Sequence, residues 1–114
     1  APRSGTAPSD RSSGQGIRNT QQFFEERGWS ACGDMLHGWF RTRYGAVRGQ
    51  IRRYSGQSPQ YVIFDPPAAL LNGPHGMCFR QRGEGEFEVH WNQPPNNVNT
   101  GILRIEHYLL EAMS

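Results

Sequence analysis

Met77-Cys78-Phe79-Arg80-Gln81-Arg82-Gly83-Glu84-Gly85-Glu86-Phe87-Glu88-Val89-His90-Trp91 is the stretch whose reading decides the fold class of this chain. Two arms in which apolar and polar side chains alternate flank Arg82-Gly83-Glu84-Gly85, and period two around a glycine-containing tetrapeptide is the pattern of a β-hairpin. Placing Phe79 and Phe87 on the buried face pairs them directly, sets Met77 against Val89 and His75 against Trp91, and leaves a loop of roughly three or five residues. On the opposite face Arg80 then meets Glu86 and Cys78 meets Glu88, with His90 diagonal to Cys78.

Working outward, Ala46 to Tyr54 also alternates. Val47, Gly49 and Ile51 point one way, and Arg48, Gln50, Arg52 and Tyr54 the other, as in a half-buried strand. Tyr61-Val62-Ile63-Phe64 is a β-branched and aromatic run suited to a central strand, and Pro66 and Pro67 end it because neither can donate to a ladder. A short turn over Ala68 to Leu71 and the turn signal Asn72-Gly73-Pro74 lead into the hairpin. Beyond it, Ile102, Ile105, Leu109 and Met113 form the apolar stripe of a C-terminal helix capped by Asn99 or a neighbour.

Upstream, Thr20 caps a short helix through Phe23 and Phe24, which Gly28 stops in a left-handed conformation. Ser30 is read as the cap of a second helix, in which Cys32, Met35, Leu36, Trp39 and Phe40 recur at spacings of three and four until Gly45. The expected architecture is α+β: an N-terminal helix pair, an antiparallel sheet of three to four strands, and a C-terminal helix packed on one face. Residues 1–19, rich in Ser, Gly and Pro, are expected to form a disordered arm, and residues 20–114 a single domain.

Charge is unevenly spread. All 12 basic residues are Arg, and from Met35 to Phe64 five of them, Arg41, Arg43, Arg48, Arg52 and Arg53, stand against no acid. From Asp65 onward three Arg stand against six acids, so a basic middle precedes an acidic end although the net charge is only +2. Arginines along a strand face, interleaved with Tyr44 and Tyr54, are the residue types that neutralise phosphates and stack on unpaired bases. The alternative is a solvated face whose Arg side chains pair with Glu84, Glu86 and Glu88.

Cys78, Glu88 and His90 share one hairpin face, and an imidazole oriented by a carboxylate can activate a thiol. Glu88 opposite Cys78 works against that, because its negative charge disfavours the thiolate. His37, His75, His90 and His107 lack ligand spacing, and Glu84 between Gly83 and Gly85 would repel phosphate. Neither a metal nor a cofactor is therefore expected. Phe23, Phe24, Trp29, Met35, Trp39 and Phe40 carry more apolar bulk than a small core obviously needs; either they form that core, or they include an interface at Phe23 or Phe24. With only two cysteines and no membrane-spanning run, a soluble protein of a reducing, cytoplasmic compartment is expected.

Phe64-Asp65-Pro66-Pro67, Pro74-His75 ahead of Cys78, and Trp91 with Pro94-Pro95 before a C-terminal helix resemble ubiquitin-conjugating enzymes and their inactive relatives. The resemblance implies Cys78 as a thioester carrier. It departs from the family in two respects: the family's histidine and asparagine motif lies further from the cysteine, and a hairpin stands where the family has extended chain.

Taken together, the residues favour a non-enzymatic binding module working within a larger assembly, with a protein partner or a second copy of the chain and no membrane. Arg41, Arg43, Arg48, Arg52, Arg53 and Tyr54 are the candidate contacts to an anionic partner, and Phe23 and Phe24 those to protein. The alternatives are a nucleic-acid-binding domain using Arg48, Arg52 and Tyr54, and a cysteine-dependent enzyme using Cys78, Glu88 and His90.

Overall fold

The structure, a computed structural model, describes residues 20–52, 58–73 and 76–113. Its first element is helix α1 (Thr20–Glu26). Gly28 at φ 78° closes it: the Trp29 N–H donates to Phe24 O at 2.8 Å and the Gly28 N–H to Glu25 O at 3.1 Å. This pair of bonds is a Schellman ending, and it seats Trp29 beside Phe24 as such endings do.

Past Trp29 the chain enters a sheet rather than a second helix. Strands β1 (Ser30–Cys32) and β2 (Met35–Thr42) pair antiparallel around Gly33-Asp34, with Gly33 at φ 64° in the first central position of a two-residue hairpin turn. The expected helix from Ser30 to Gly45 is thus corrected. Leu36, Gly38 and Phe40 are buried while His37, Trp39 and Arg41 are exposed, a period of two. The reason is tertiary. The buried ring of Trp29 lies against the backbone of Gly38, where an added Cβ would stand 2.6 Å from Trp29 Cγ. Across the ladder Gly38 pairs with Gly49, where a Cβ would stand 2.8 Å from Phe40 Cδ2. Two glycines facing each other make the slot in which Trp29 and Phe40 meet edge to face at 5.1 Å.

Strand β3 (Gly45–Arg52) comes after the turn Arg43-Tyr44, where the Thr42 hydroxyl donates to Gly45 O at 2.7 Å and accepts from the Tyr44 N–H at 3.1 Å. Strand β4 (Gln60–Phe64), helix α2 (Ala68–Leu71), strands β5 (Met77–Gly83) and β6 (Glu86–Trp91), and helix α3 (Val98–Met113) complete the chain. The sheet has six strands in the order β1-β2-β3-β4-β6-β5, every neighbouring pair antiparallel. The expected three to four strands are β3 to β6; β1 and β2 are the two that a helical reading hides.

The hairpin keeps Phe79 and Phe87 on one face but not opposite each other. Phe79 pairs with Val89, Gln81 with Phe87 and Met77 with Trp91, a shift of two residues from the expected register. Arg82 is the extra residue of a bulge between Gln81 and Gly83, and Gly85 at φ 70° lets the loop shrink to Glu84-Gly85. A shift of two preserves every side chain's face, so the alternation is satisfied in both registers.

Leu36, Phe40, Ile51, Tyr61, Ile63, Ile102, Ile105 and Leu109 are all fully buried between the sheet and α3. Asn97 caps α3, its Oδ1 accepting the Thr100 N–H at 2.9 Å, and Gly101 lets the helix sit against the Tyr61 phenol. Both α1 and α2 contact α3, which itself contacts β2, so the helices lie on one side. Among the described residues no helix covers the other face.

Candidate binding face of the sheet

The face that no described helix covers is built by alternation. His37, Trp39 and Arg41 come from β2; Arg48, Gln50 and Arg52 from β3; Gln60, Val62 and Phe64 from β4; Glu86, Glu88 and His90 from β6; Cys78 and Arg80 from β5. Register aligns them in rows across the strands. Met35 faces Arg52 and Arg52 faces Gln60; His37 faces Gln50, which faces Val62, which faces Glu88, which faces Arg80. In the third row Trp39 faces Arg48, and the Arg48 guanidinium lies over the Phe64 ring at 4.0 Å from its centroid.

This third row carries the most unusual chemistry of the face. Trp39 is 48% exposed, an aromatic area that water would ordinarily be spared. Ser30, His37, Trp39 and Arg48 line a groove of about 220 Å³ beside it. Arg48 is exposed, and its guanidinium sits over the Phe64 ring in a cation–π contact. Val62, next to Phe64 on the same side of β4, is only 2% exposed and adds no open surface to the face.

Comparison with family models, curated proteins and solved structures finds no match.

The five arginines of the basic middle have separate fates. Arg48 and Arg52 share the uncovered face, as alternation requires, with Arg52 Nη2 3.4 Å from Met35 Sδ. Arg43 sits exposed in the hairpin turn beside Tyr44, which is 62% exposed. Arg41 has a structural task. Its guanidinium donates to the carbonyl of Glu26 at the C-terminal end of α1, where a cation suits the helix dipole, and its backbone N–H donates to Glu106 Oε2 at 2.8 Å. Because β1 stops after three residues, this carboxylate of α3 serves the β2 edge where a further strand residue would have done so. Arg53 and Tyr54 lie outside the described residues.

On β6, Glu86 Oε1 lies 3.7 Å from Arg82 Nε, and Glu88 faces Arg80 in the ladder. Among the described residues Arg48 has no carboxylate partner. The face is therefore divided: β2 and β3 cationic and aromatic, β5 and β6 balanced.

Phe24, 3% exposed, belongs to the core and offers no contact surface, while Phe23 is partly buried under the Arg27 guanidinium at 4.1 Å. Cys78, Glu88 and His90 share one face, with the two partners of Cys78 exchanged from the expected register. The register sets Cys78 directly opposite His90 instead of Glu88. His90 Nε2 lies 3.4 Å from Glu88 Oε1, within ion-pair range but without hydrogen-bond alignment. Cys78 itself is exposed near one edge of the sheet, and Cys32 is exposed at the other. No group of three His, Cys, Asp or Glu among the described residues is placed to hold a metal, and no described helix is long and apolar enough to cross a membrane.

Phe64 and His37 are residues of this face that the sequence does not mark as contacts, and Trp39 stands out there only as one of the surplus aromatics. The signal was present in Leu36-His37-Gly38-Trp39-Phe40, which alternates as well as it fits a helical stripe. Only the inclusion of Gly38 as an inward position turns the alternation into a strand.

Proposed function

We propose that this chain is a non-enzymatic binding module whose uncovered sheet face contacts an anionic partner within a larger assembly. The observation that carries it is the Arg48 guanidinium seated over Phe64 beside the exposed Trp39, on a face that no described helix covers. A guanidinium placed in this way loses little entropy on meeting an anion, and β2 and β3 bring no acid to the face. Arg52 shares the face and Arg43 the adjoining turn, so several anionic groups along one ligand can be met at once.

The test is titration of the chain with inorganic polyphosphate, at about 50 and 200 mM salt. Binding is expected at the lower salt, several-fold weaker at the higher, and weakened again in Arg48→Ala. A chain that binds no polyanion at the lower salt refutes the proposal.

Cysteine chemistry is the second function that a specific observation favours, because Cys78 stands opposite His90 and His90 beside Glu88. In that function His90 takes the thiol proton while Glu88 holds the imidazole cation. Cys78 is then expected to react with a thiol reagent at neutral pH at least tenfold faster than Cys32, and His90→Gln is expected to remove the difference. Equal rates at the two cysteines exclude it.

A further inference from the structure

We infer that the anionic partner is a single-stranded nucleic acid, one base of which stacks on Trp39 and a neighbouring one on the Arg48 guanidinium. This rests on the proposed anion-binding face and goes beyond it by naming what lies between the charges. A polyanion without planar groups would require only cations. This face instead offers flat surfaces: an indole 48% exposed and a guanidinium backed by a phenyl ring at 4.0 Å. Bases stack on aromatic rings and on guanidinium planes alike, which is how open sheet faces take unpaired strands.

The spacing suits a strand running across the sheet. Trp39 on β2 and Phe64 on β4 are two strands apart, roughly 9.5 Å, with Arg48 between them on β3. His37, exposed in the next row and lining the same groove, offers a further ring edge and a hydrogen-bonding nitrogen to a base. Arg43 at the hairpin turn and Arg52 at the far end of β3 flank this row on its two sides, along the direction of the strands. An acidic protein segment fits less well, because it presents carboxylates but few planar faces for the indole to meet. A duplex fits less well too, since its bases are already stacked on one another. For each phosphate contact made, the logarithm of affinity should fall with the logarithm of salt at a slope of about −0.7.

The deciding experiment uses the whole chain with fluorescently labelled oligothymidylate, and with an abasic oligonucleotide of the same length and charge. Oligothymidylate is expected to bind at least tenfold more tightly than the abasic strand, and Trp39→Ser to bring the two together. Trp39→Phe, which keeps a ring, is expected to retain most of the difference while losing the quenching of exposed tryptophan fluorescence that oligothymidylate causes. Equal binding of the two strands by the native chain overturns base stacking and leaves the anion-binding face standing. Binding of neither strand at low salt overturns both. A circular dichroism spectrum unchanged in each variant shows that the sheet is intact.

Discussion

Replacing Gly38 by Ala tests the contact on which the sheet, and with it the binding face, depends. The new methyl would stand 2.6 Å from Trp29 Cγ and 2.7 Å from Trp29 Cε3, whereas carbon atoms rest at about 3.5 to 4.0 Å. The indole would have to retreat by roughly 1 Å. It has little room, being 3% exposed and held edge to face against Phe40, which is itself fully buried. Overpacking of this kind costs about 1–3 kcal/mol, and removing a glycine from a strand returns about 0.5–1 kcal/mol. A net loss of about 2 kcal/mol is expected because both rings are enclosed, and for a domain of this size it lowers Tm by roughly 8–16 °C. The assay is equilibrium urea unfolding, read as a fall in midpoint at unchanged slope. Trp29→Leu provides the control, since a smaller side chain leaves space for the methyl. In that background Gly38→Ala should be close to neutral, giving a coupling of about 1–2 kcal/mol in the double-mutant cycle. A neutral Gly38→Ala in the native chain, or the same loss in both backgrounds, would refute the slot.

Two further predictions concern groups that tie the layers together. Burial holds the Tyr61 phenol far above its ordinary range, with the nearby Arg104 charge opposing in part. Its hydroxyl donates to Asn97 O at 3.3 Å. Above pH ~10 the unfolded chain releases this proton and the folded chain keeps it, so stability is fully present below that pH and falls as pH rises, by up to about 1.4 kcal/mol per pH unit. Urea midpoints at successive alkaline pH values should show this decline in the native chain and a shallower one in Tyr61→Phe; parallel declines exclude it. Glu106, its side chain 11% exposed, accepts from the Arg41 backbone N–H at 2.8 Å and from Arg27 Nε at 3.4 Å. Glu106→Ala should cost about 1–3 kcal/mol by leaving the β2 edge unsatisfied, while Glu106→Gln retains an acceptor and should cost less. Equal losses in the two variants would show that the acceptor at Arg41 is not what matters.

Periodicity made much of this protein legible from its residues alone. Val47, Gly49 and Ile51 turn inward and Arg48, Gln50 and Arg52 outward, because a strand's side chains alternate whatever lies around it. Ile102, Ile105 and Leu109 face the core because a helix repeats its faces every three to four residues. The left-handed stop at Gly28 was readable for the same reason: the demand is local to one residue. Three matters needed the folded molecule. Leu36, Trp39 and Phe40 satisfy both a helical stripe and an alternating strand, and the choice fell to Gly38 and Gly49, whose missing side chains admit two rings from elsewhere in the chain. The hairpin register was ambiguous by two residues, since such a slip moves no side chain to the other face, until the bulge at Arg82 and the tight turn at Gly85 selected one. The site divides in the same way. Alternation alone put Arg48 on the outer face, but its support by Phe64, the exposure of Trp39 beside it and the diversion of Arg41 to α1 are set by strand order and helix placement. Short-range patterns determine which way a side chain points; what it then meets depends on residues far away in sequence, and no local period records them.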